Sequence, residues 1–262
     1  STNCERSYKK LGSVLNDARL AGLIDWEIME DRTRSLRKQP SWDSPSEIVG
    51  ACARQFRIDK RATQEFRVET WVEKDALVGV FERVCNELQV PVFSCRGYTS
   101  QSEMWVAGQR LKGYIDGGQT PIIFHFGDHD PSGIDMTRDI IDRLQMFMGG
   151  VRLERLALNM DQVEEYEPPP NPAKITDSRA EGYIALFGEE SWELDALQPA
   201  VLAALCESHV LGVRDAEAWQ ASEAIEQRHR GTLERVSSQW DEIAERYSSS
   251  EEPDEEDDDA GD

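Results

Sequence analysis

Carboxylates follow two stretches of the sequence that have the pattern of buried strands. Residues 64–74 alternate apolar and polar side chains, as a strand does, and reach Glu73 at their end. Residues 120–126 form an apolar run that stops at a glycine, after which come Asp128 and Asp130. Ligands of an open parallel sheet bind beyond the carboxyl ends of its strands. If the two strands are neighbours, these three carboxylates meet at one edge of the sheet.

Such a group of acids suits a divalent cation. Isolated carboxylates a few ångströms apart repel each other, and one of them would take up a proton. Mg²⁺, or Mn²⁺ in its place, removes that conflict, because hard cations prefer oxygen ligands and are often held by one or two carboxylates plus substrate phosphates. Gly127 allows a tight turn, and a helix that starts near Pro131 would aim its amides at an anion. We therefore take Glu73, Asp128 and Asp130 as candidate metal ligands and catalytic residues.

Other interpretations of the same residues stay open. An Asp-X-Asp pair is common on protein surfaces, and Asp130 could simply cap the helix that follows it. His129, between the two aspartates, is expected to point to the opposite side and to have a structural role. Lys74 and Arg96 lie at the ends of the first two predicted strands, where they could contact nucleic-acid phosphates or be ordinary surface charges.

Strands and helices alternate in the middle of the chain, which predicts βαβ units and a parallel sheet flanked by helices. The predicted strands are 64–74, 90–95, 120–126 and 151–158, and the predicted helices between them are 75–89, 100–118 and 131–147. Residues 6–24 and 44–56 are predicted helices, and residues 199–248 form a long helical region. Residues 160–195 are predicted to be loop-rich, because a proline cluster there disfavours regular structure.

The charge is strongly negative and unevenly distributed. The net charge is −22, to which the segment 251–262 contributes nine acids and no base. Residues 1–70 carry 13 Lys and Arg against 11 Asp and Glu, so only this segment is locally favourable for a nucleic-acid partner. The acidic tail is predicted to be disordered. The five cysteines are scattered and form no CxxC motif, which predicts a cytoplasmic protein. The sequence has no long apolar run, which predicts that it has no membrane span.

The order Glu73, two βα units and then GDHDPSG resembles the Toprim domain, which topoisomerases, bacterial primases and several nucleases share. The segment GDHDPSG is most similar to the corresponding motif of the A subunit of topoisomerase VI and its small bacterial and phage relatives. The segment SYKKLGSVLNDARLAGLIDWEIMEDRTR resembles the end of the winged-helix module that precedes Toprim in some relatives, and PPPNPAKITDSR and SWELDALQP resemble the downstream region. The resemblance covers roughly residues 6–200.

This resemblance implies a division of the chain. The expected units are a helical, partial winged-helix-like DNA-binding segment (1–62), a Toprim-like catalytic domain (63–198), a helical C-terminal region (199–248) and a disordered acidic tail (249–262). Whether the chain is a piece of a longer protein stays open.

The resemblance also implies Mg²⁺-dependent cleavage of DNA, by hydrolysis or by topoisomerase-like transesterification. Asp128 and Asp130 would bind the metal, and Glu73 would bind it or act as general acid and base. Asp177 and Glu193 are further acids that could complete the site. A homodimer, an upstream module and an ATPase partner are further partners that this resemblance allows. Relatives of topoisomerase VI attack DNA with a tyrosine, and Tyr8, the one tyrosine before residue 98, is expected to have a packing role instead.

Two other functions compete with this one. A phosphatase of the haloacid dehalogenase type also places an Asp-X-Asp at a strand end, but its motif normally continues with Gly-Thr, whereas Pro-Ser-Gly follows here. A non-catalytic nucleic-acid-binding or assembly module with the same fold is the other alternative, and the negative charge outside residues 1–70 favours it.

Overall fold

The computed structural model describes residues 5–28, 39–174 and 176–248. The tail 249–262 and the segment DRTR at 31–34 lie outside the described residues, and so does the side chain of Tyr8. The α-helices are α1 (Glu5–Leu20), α2 (Pro45–Gln55), α3 (Val78–Glu87), α4 (Gln101–Asp116), α5 (Pro131–Met148), α6 (Met160–Tyr166), α7 (Ala180–Phe187), α8 (Pro199–Gly212), α9 (Ala216–Ser238) and α10 (Trp240–Ser248). The strands are β1 (Phe66–Val72), β2 (Val92–Ser94), β3 (Thr120–Phe126), β4 (Arg152–Ala157), β5 (Asn171–Pro172) and β6 (Glu190–Ser191).

Four of these strands form a parallel sheet in the order β2–β1–β3–β4. β1 and β3 lie side by side over their whole length, from Phe66 opposite Thr120 to Val72 opposite Phe126. The prediction of a parallel α/β sheet flanked by helices is therefore confirmed, and so is the condition that the two strands before the candidate acids are neighbours.

Apolar side chains on both faces of the sheet explain why it is covered by helices on each side. One face packs with α3 and α8 around a core that includes Val72, Phe81, Phe126 and Leu202. The other face packs with α4 and α5 around Trp71 and further buried apolar residues. Parallel strands buried on both faces are typically near-continuous apolar runs, and β3 has that pattern.

The loop prediction for residues 160–195 is partly wrong. This region contains α6, α7 and a small antiparallel pair of β5 with β6. Asn159 and Gln162 form a reciprocal capping box that allows the short helix α6 to begin there. Pro172 is tolerated in β5 because that strand is only two residues long and lies at the edge of a two-stranded sheet.

Helices make up the regular structure at both ends of the described chain. In the described part of residues 1–62, α1, α2 and short 3₁₀ turns are present and no strand is found. α2 packs against α9, and Ser46 Oγ donates to Ser237 O at 2.8 Å. α8 covers one face of the sheet, as described above. No helix within the described ranges combines the length and the apolar character that crossing a bilayer would require.

Candidate active site

The carboxyl ends of β1 and β3 bring two of the predicted acids into contact. Glu73 is the first residue after β1, and its amide donates to Phe126 O at 2.9 Å, which extends the β1–β3 pairing by one step. The carboxylate of Glu73 then reaches across to the neighbouring chain segment, where its Oε2 atom accepts a hydrogen bond from the amide of Asp128 at 2.8 Å. The structure thus brings Glu73 and Asp128 together from positions 55 residues apart.

Two glycines make room for this contact. A Cβ atom at Gly133 would lie 2.2 Å from Asp128 O and 3.1 Å from Glu73 Oε2. A Cβ atom at Gly127 would lie 2.9 Å from the same Oε2 atom. The first of these distances is a clash with backbone, which a side-chain rotation cannot relieve. The backbone at these two positions approaches closely enough to the carboxylate that only glycine fits without rearrangement.

Asp128 is almost buried, with 8% of its surface exposed. Its Oδ1 atom accepts a hydrogen bond from the amide of Leu194 at 2.7 Å and lies 3.4 Å from Lys74 Nζ. Burial raises the pKa of Asp128, although the Leu194 amide and the Lys74 charge oppose that change. The segment that follows β6 therefore closes over Asp128, a contact for which the sequence offers no periodic signal.

Asp130 caps α5. Its Oδ1 atom accepts a hydrogen bond from the amide of Gly133 at 2.6 Å, as a residue preceding the first turn of a helix commonly does. The capping interpretation from the sequence is therefore confirmed for one oxygen of this carboxylate. Within the described residues, the other oxygen, Oδ2, accepts no hydrogen bond. Oε1 of Glu73 and Oδ2 of Asp128 are likewise without a hydrogen-bond donor in that part of the chain.

Glu73 titrates near neutrality. Burial is the main cause that raises the pKa of its carboxyl from 4.5 to about 7, and the negative charge of Asp128 adds to the effect. The hydrogen bond from the Asp128 amide opposes this rise without cancelling it. A carboxyl with a pKa close to the working pH can both accept and give a proton, which is the property of a general acid or base.

A buried arginine that the sequence did not reveal holds the chain around these acids. Arg155, in the interior of β4, donates through Nη2 to Gly127 O at 2.9 Å and to Asp128 O at 2.6 Å. Its Nη1 atom donates to Gly133 O at 3.1 Å and to Thr137 Oγ1 at 2.8 Å. Burial lowers the pKa of Arg155 to about 10, which leaves it charged at neutral pH. β4 reads RLERLA, and nothing in this mixture of charged and apolar residues indicated that Arg155 would lie at this edge.

His129 points away from the two aspartates, as expected from the sequence. Its Nδ1 atom lies 2.7 Å from the Tyr183 hydroxyl, and its ring packs among Tyr183, Phe187 and Trp192. Its backbone pairs with that of Trp192, with N–O distances of 2.8 and 2.9 Å. Burial lowers the pKa of His129 to about 4, so the imidazole is neutral at physiological pH. This residue fixes the turn between β3 and α5.

The two predicted nucleic-acid-binding residues have acidic partners. Lys74 Nζ lies 2.8 Å from Glu193 and 3.0 Å from Asp195, in addition to its contact with Asp128. Burial opposes charging, but these carboxylates outweigh it and raise the pKa of Lys74 above its ordinary value. Arg96 is exposed and pairs with Asp75 at 3.1 Å.

Of the two further acids that the sequence suggested, Glu193 shares Lys74 with Asp128, and Asp177 pairs with Arg179. Glu193 contacts Lys74, as described above, rather than Glu73. Asp177 accepts hydrogen bonds from the backbone amide and the side chain of Arg179, at 2.9 and 3.0 Å. Both are thus engaged with cations.

The donor chemistry of the site fits Mg²⁺, although the side chains are not arranged as a closed cage. Within the described ranges no group of three or more His, Cys, Asp or Glu residues is arranged to hold a metal ion. Mg²⁺ commonly needs only one or two carboxylates, because waters and substrate phosphates complete its coordination. Asp128 and Asp130 meet that smaller requirement, since each keeps one carboxylate oxygen without a donor among the described residues, and Glu73 lies next to Asp128.

Comparisons of the chain with known protein families, with curated proteins and with solved structures found no match.

Proposed function

We propose that this protein is a metal-dependent enzyme that cleaves phosphodiester bonds, with DNA as its substrate. The observation that carries this proposal is the contact of Glu73 with Asp128 at the carboxyl ends of two adjacent parallel strands. The charge of Asp128 raises the pKa of the half-buried Glu73, and two carboxylates that interact in this way are costly unless a proton or a cation compensates their charge. A Toprim-like arrangement, with Mg²⁺ or Mn²⁺ as the cation, is part of this proposal.

The three acids have two roles in the proposal. Asp128, and Asp130 through its Oδ2 atom, would hold the cation, which when bound polarises a phosphoryl oxygen. Glu73, with a pKa of about 7, would take the proton from the attacking oxygen or give one to the leaving oxygen. Arg155 would keep the turn in place by binding the carbonyls of Gly127 and Asp128. Lys74 would limit the negative charge at Asp128 before a substrate arrives.

The charges around the site explain why a cation would be required. The exposed carboxylates of Glu193 and Asp195 lie against Lys74, and the whole chain has a net charge of −22. A phosphodiester is itself an anion, so it would be repelled from this edge unless a divalent cation changed the local field.

Two open grooves begin within two residues of the acids in the chain, although Glu73, Asp128 and Asp130 do not line them. One, of about 680 Å³, begins at Asp75 and runs between α3 and α8. The other, of about 540 Å³, begins at Pro131 and runs between α5 and α7.

Water is the nucleophile that we propose. Two tyrosines lie close to the start of α5, Tyr98 through a hydrogen bond to Asp135 at 2.7 Å and Tyr183 through its contact with His129. Burial raises the pKa of Tyr98 to about 12 and raises that of Tyr183 as well, so neither is activated as a phenolate.

The proposal has further parts that concern the whole protein. It includes a partial winged-helix role for residues 1–62 and a cytoplasmic location. It also includes a homodimer, an upstream module or an ATPase partner.

The test is a plasmid-nicking assay with the full chain. Supercoiled plasmid is incubated with Mg²⁺ or Mn²⁺, or with EDTA, for the wild type, Glu73→Ala, Asp128→Ala and the matched control Glu82→Gln, which removes an exposed acid from α3. We expect metal-dependent nicking that falls at least about 100-fold in the two alanine variants and is unchanged in the control. Equal nicking by all four proteins, or none by the wild type with either metal, would refute the proposal.

The ends of the cleaved DNA identify the nucleophile. Free ends indicate hydrolysis, and a covalent protein–DNA adduct indicates tyrosine attack. Release of phosphate from a small ester, without an effect on DNA, would instead support the phosphatase alternative.

A second candidate function is a non-catalytic nucleic-acid-binding or assembly module. The observation that favours it is the position of Lys74, whose ammonium group already lies against Asp128 and two further acids. A protein cation can compensate buried carboxylates without any metal. Metal-independent DNA binding by the wild type, retained in Glu73→Ala and without nicking, would support this module over the enzyme.

A further inference from the structure

Three cationic side chains surround one buried indole at the other end of the sheet. The guanidinium carbons of Arg61 and Arg214 lie 5.2 Å from the centre of the Trp219 ring, and Lys60 Nζ lies 5.3 Å from it. Arg61 precedes β1, and Arg214 lies in the turn between α8 and α9. A strand rises about 3.3 Å per residue, so the seven residues of β1 place this cluster about 20 Å from Glu73.

Arg61 has donors that the described chain leaves unused. Only 1% of its surface is exposed, and its Nε atom donates to Leu88 O at 2.8 Å. Neither of its Nη atoms has a hydrogen-bond partner among the described residues, and the buried Nε atom of Arg214 likewise has none there. Buried polar atoms are almost always hydrogen-bonded in proteins, either to other residues or to bound water or ligands.

The carboxylates around this cluster are bound to other groups. Lys60 has Glu223 and Glu226 as partners, at 3.5 and 3.6 Å. Arg67 pairs with Asp59 at 2.7 Å. Asp215, next to Arg214 in the chain, accepts hydrogen bonds from the first amides of α9. Among the described residues, Arg61 and Arg214 are therefore left without a carboxylate within ion-pair distance.

Two unpaired guanidinium groups close to one ring repel each other. Burial, together with the charges of Arg214 and Arg67, lowers the pKa of Arg61 to about 10. A buried charge without a partner is strongly unfavourable, and an anion between the two groups would supply both the charge and the hydrogen-bond acceptors. The planar forks of two guanidinium groups match the oxygens of a phosphate.

We propose that Arg61 and Arg214 bind a small oxyanion of the phosphate class beside Trp219. The near-complete burial of Arg61 excludes a nucleic-acid backbone and favours a free ion or a compact monophosphate ester. Because the cluster lies at the amino ends of the strands, this site is independent of the proposed cleavage site.

The test is titration calorimetry of the full chain with sodium phosphate and, separately, with a nucleoside monophosphate. Sodium chloride at matched ionic strength is the blank. Arg214→Gln removes one of the two guanidinium groups, at a partly exposed position. Arg152→Gln is the matched control, because Arg152 also lies over an aromatic ring, Phe66 at 5.6 Å, but pairs with Glu154 at 2.7 Å.

We expect the wild type and Arg152→Gln to bind phosphate, the ester or both, and Arg214→Gln to bind at least about tenfold more weakly. Binding of inorganic phosphate alone identifies a free ion as the ligand, and binding of the ester identifies a nucleotide-type ligand. No binding of either compound by the wild type, or equal binding by Arg214→Gln, overturns the proposal. If Arg214→Gln does not fold, as judged by circular dichroism, Arg214→Lys replaces it, and the wild-type titration alone still decides whether an anion binds.

Discussion

Replacing Glu73 by glutamine should stabilise the protein at alkaline pH and leave its stability unchanged in acid. The folded protein raises the pKa of Glu73 from 4.5 to about 7, so the folded state keeps a proton that the unfolded state releases between these values. The stability that this proton provides is complete below pH 4.5 and is lost as the pH rises through 7. Glutamine resembles the protonated carboxyl, and it can still accept the hydrogen bond from the Asp128 amide.

The size of the effect follows from the pKa change. One pKa unit corresponds to about 1.4 kcal/mol, so the change from 4.5 to about 7 corresponds to about 3 kcal/mol in the free energy of unfolding at pH 8. We therefore expect Glu73→Gln to exceed the wild type by about 3 kcal/mol at pH 8 and to equal it at pH 4. Urea unfolding, followed by tryptophan fluorescence in EDTA at both pH values, measures this difference.

A control separates the local effect from the general influence of charge. Glu82→Gln removes an acid from the exposed face of α3, and its effect on stability should not change with pH by more than about 0.5 kcal/mol. If the difference between Glu73→Gln and the wild type were the same at pH 4 and pH 8, the reasoning about the buried carboxyl pair would be refuted. Addition of Mg²⁺ at pH 8 should stabilise the wild type more than Glu73→Gln if the site binds the cation.

Three other substitutions test the structure of the site. Gly133→Ala should destabilise the fold by about 2 kcal/mol in urea unfolding, because its Cβ would lie 2.2 Å from the Asp128 carbonyl oxygen. The control Gly113→Ala, whose Cβ meets nothing within 4 Å, should stabilise the fold by about 0.5–1 kcal/mol. Equal effects of the two substitutions on stability would contradict the close approach at Gly133. Asp128→Asn should move the pKa of Glu73 towards its ordinary value, since one neighbouring negative charge is removed. Carboxyl NMR chemical shifts follow this titration. An unchanged pKa would show that burial alone raises the pKa of Glu73. Arg155→Lys should lower the free energy of unfolding by about 3 kcal/mol, because an ammonium group cannot replace all the hydrogen bonds that the guanidinium makes to backbone carbonyls. A loss below about 1 kcal/mol would mean that these hydrogen bonds contribute little to stability.

The strands and helices of the sheet were predictable because their apolar periodicity is local. β1 and β3 lie within the segments predicted for them, and α5 extends one residue beyond the predicted 131–147. The order of strands and helices was sufficient to predict a parallel sheet. The region 160–195 was harder, because a two-residue strand and short helices depend on caps and on contacts with distant residues rather than on a repeating pattern. The sequence-based resemblance to the Toprim domain remains a prediction.

The sequence by itself determined that acids follow two apolar strands, since those facts depend on residue type and spacing alone. Only the tertiary structure decided that β1 and β3 are neighbours, and therefore that Glu73 contacts Asp128. It also placed Arg155 beneath the turn and directed Lys74 to acidic partners. Within the part of the chain that the structure describes, it left Arg61 without a carboxylate partner. The physical reason is that hydrogen bonds, burial and charge depend on distances between residues far apart in the chain, which packing of the whole core establishes.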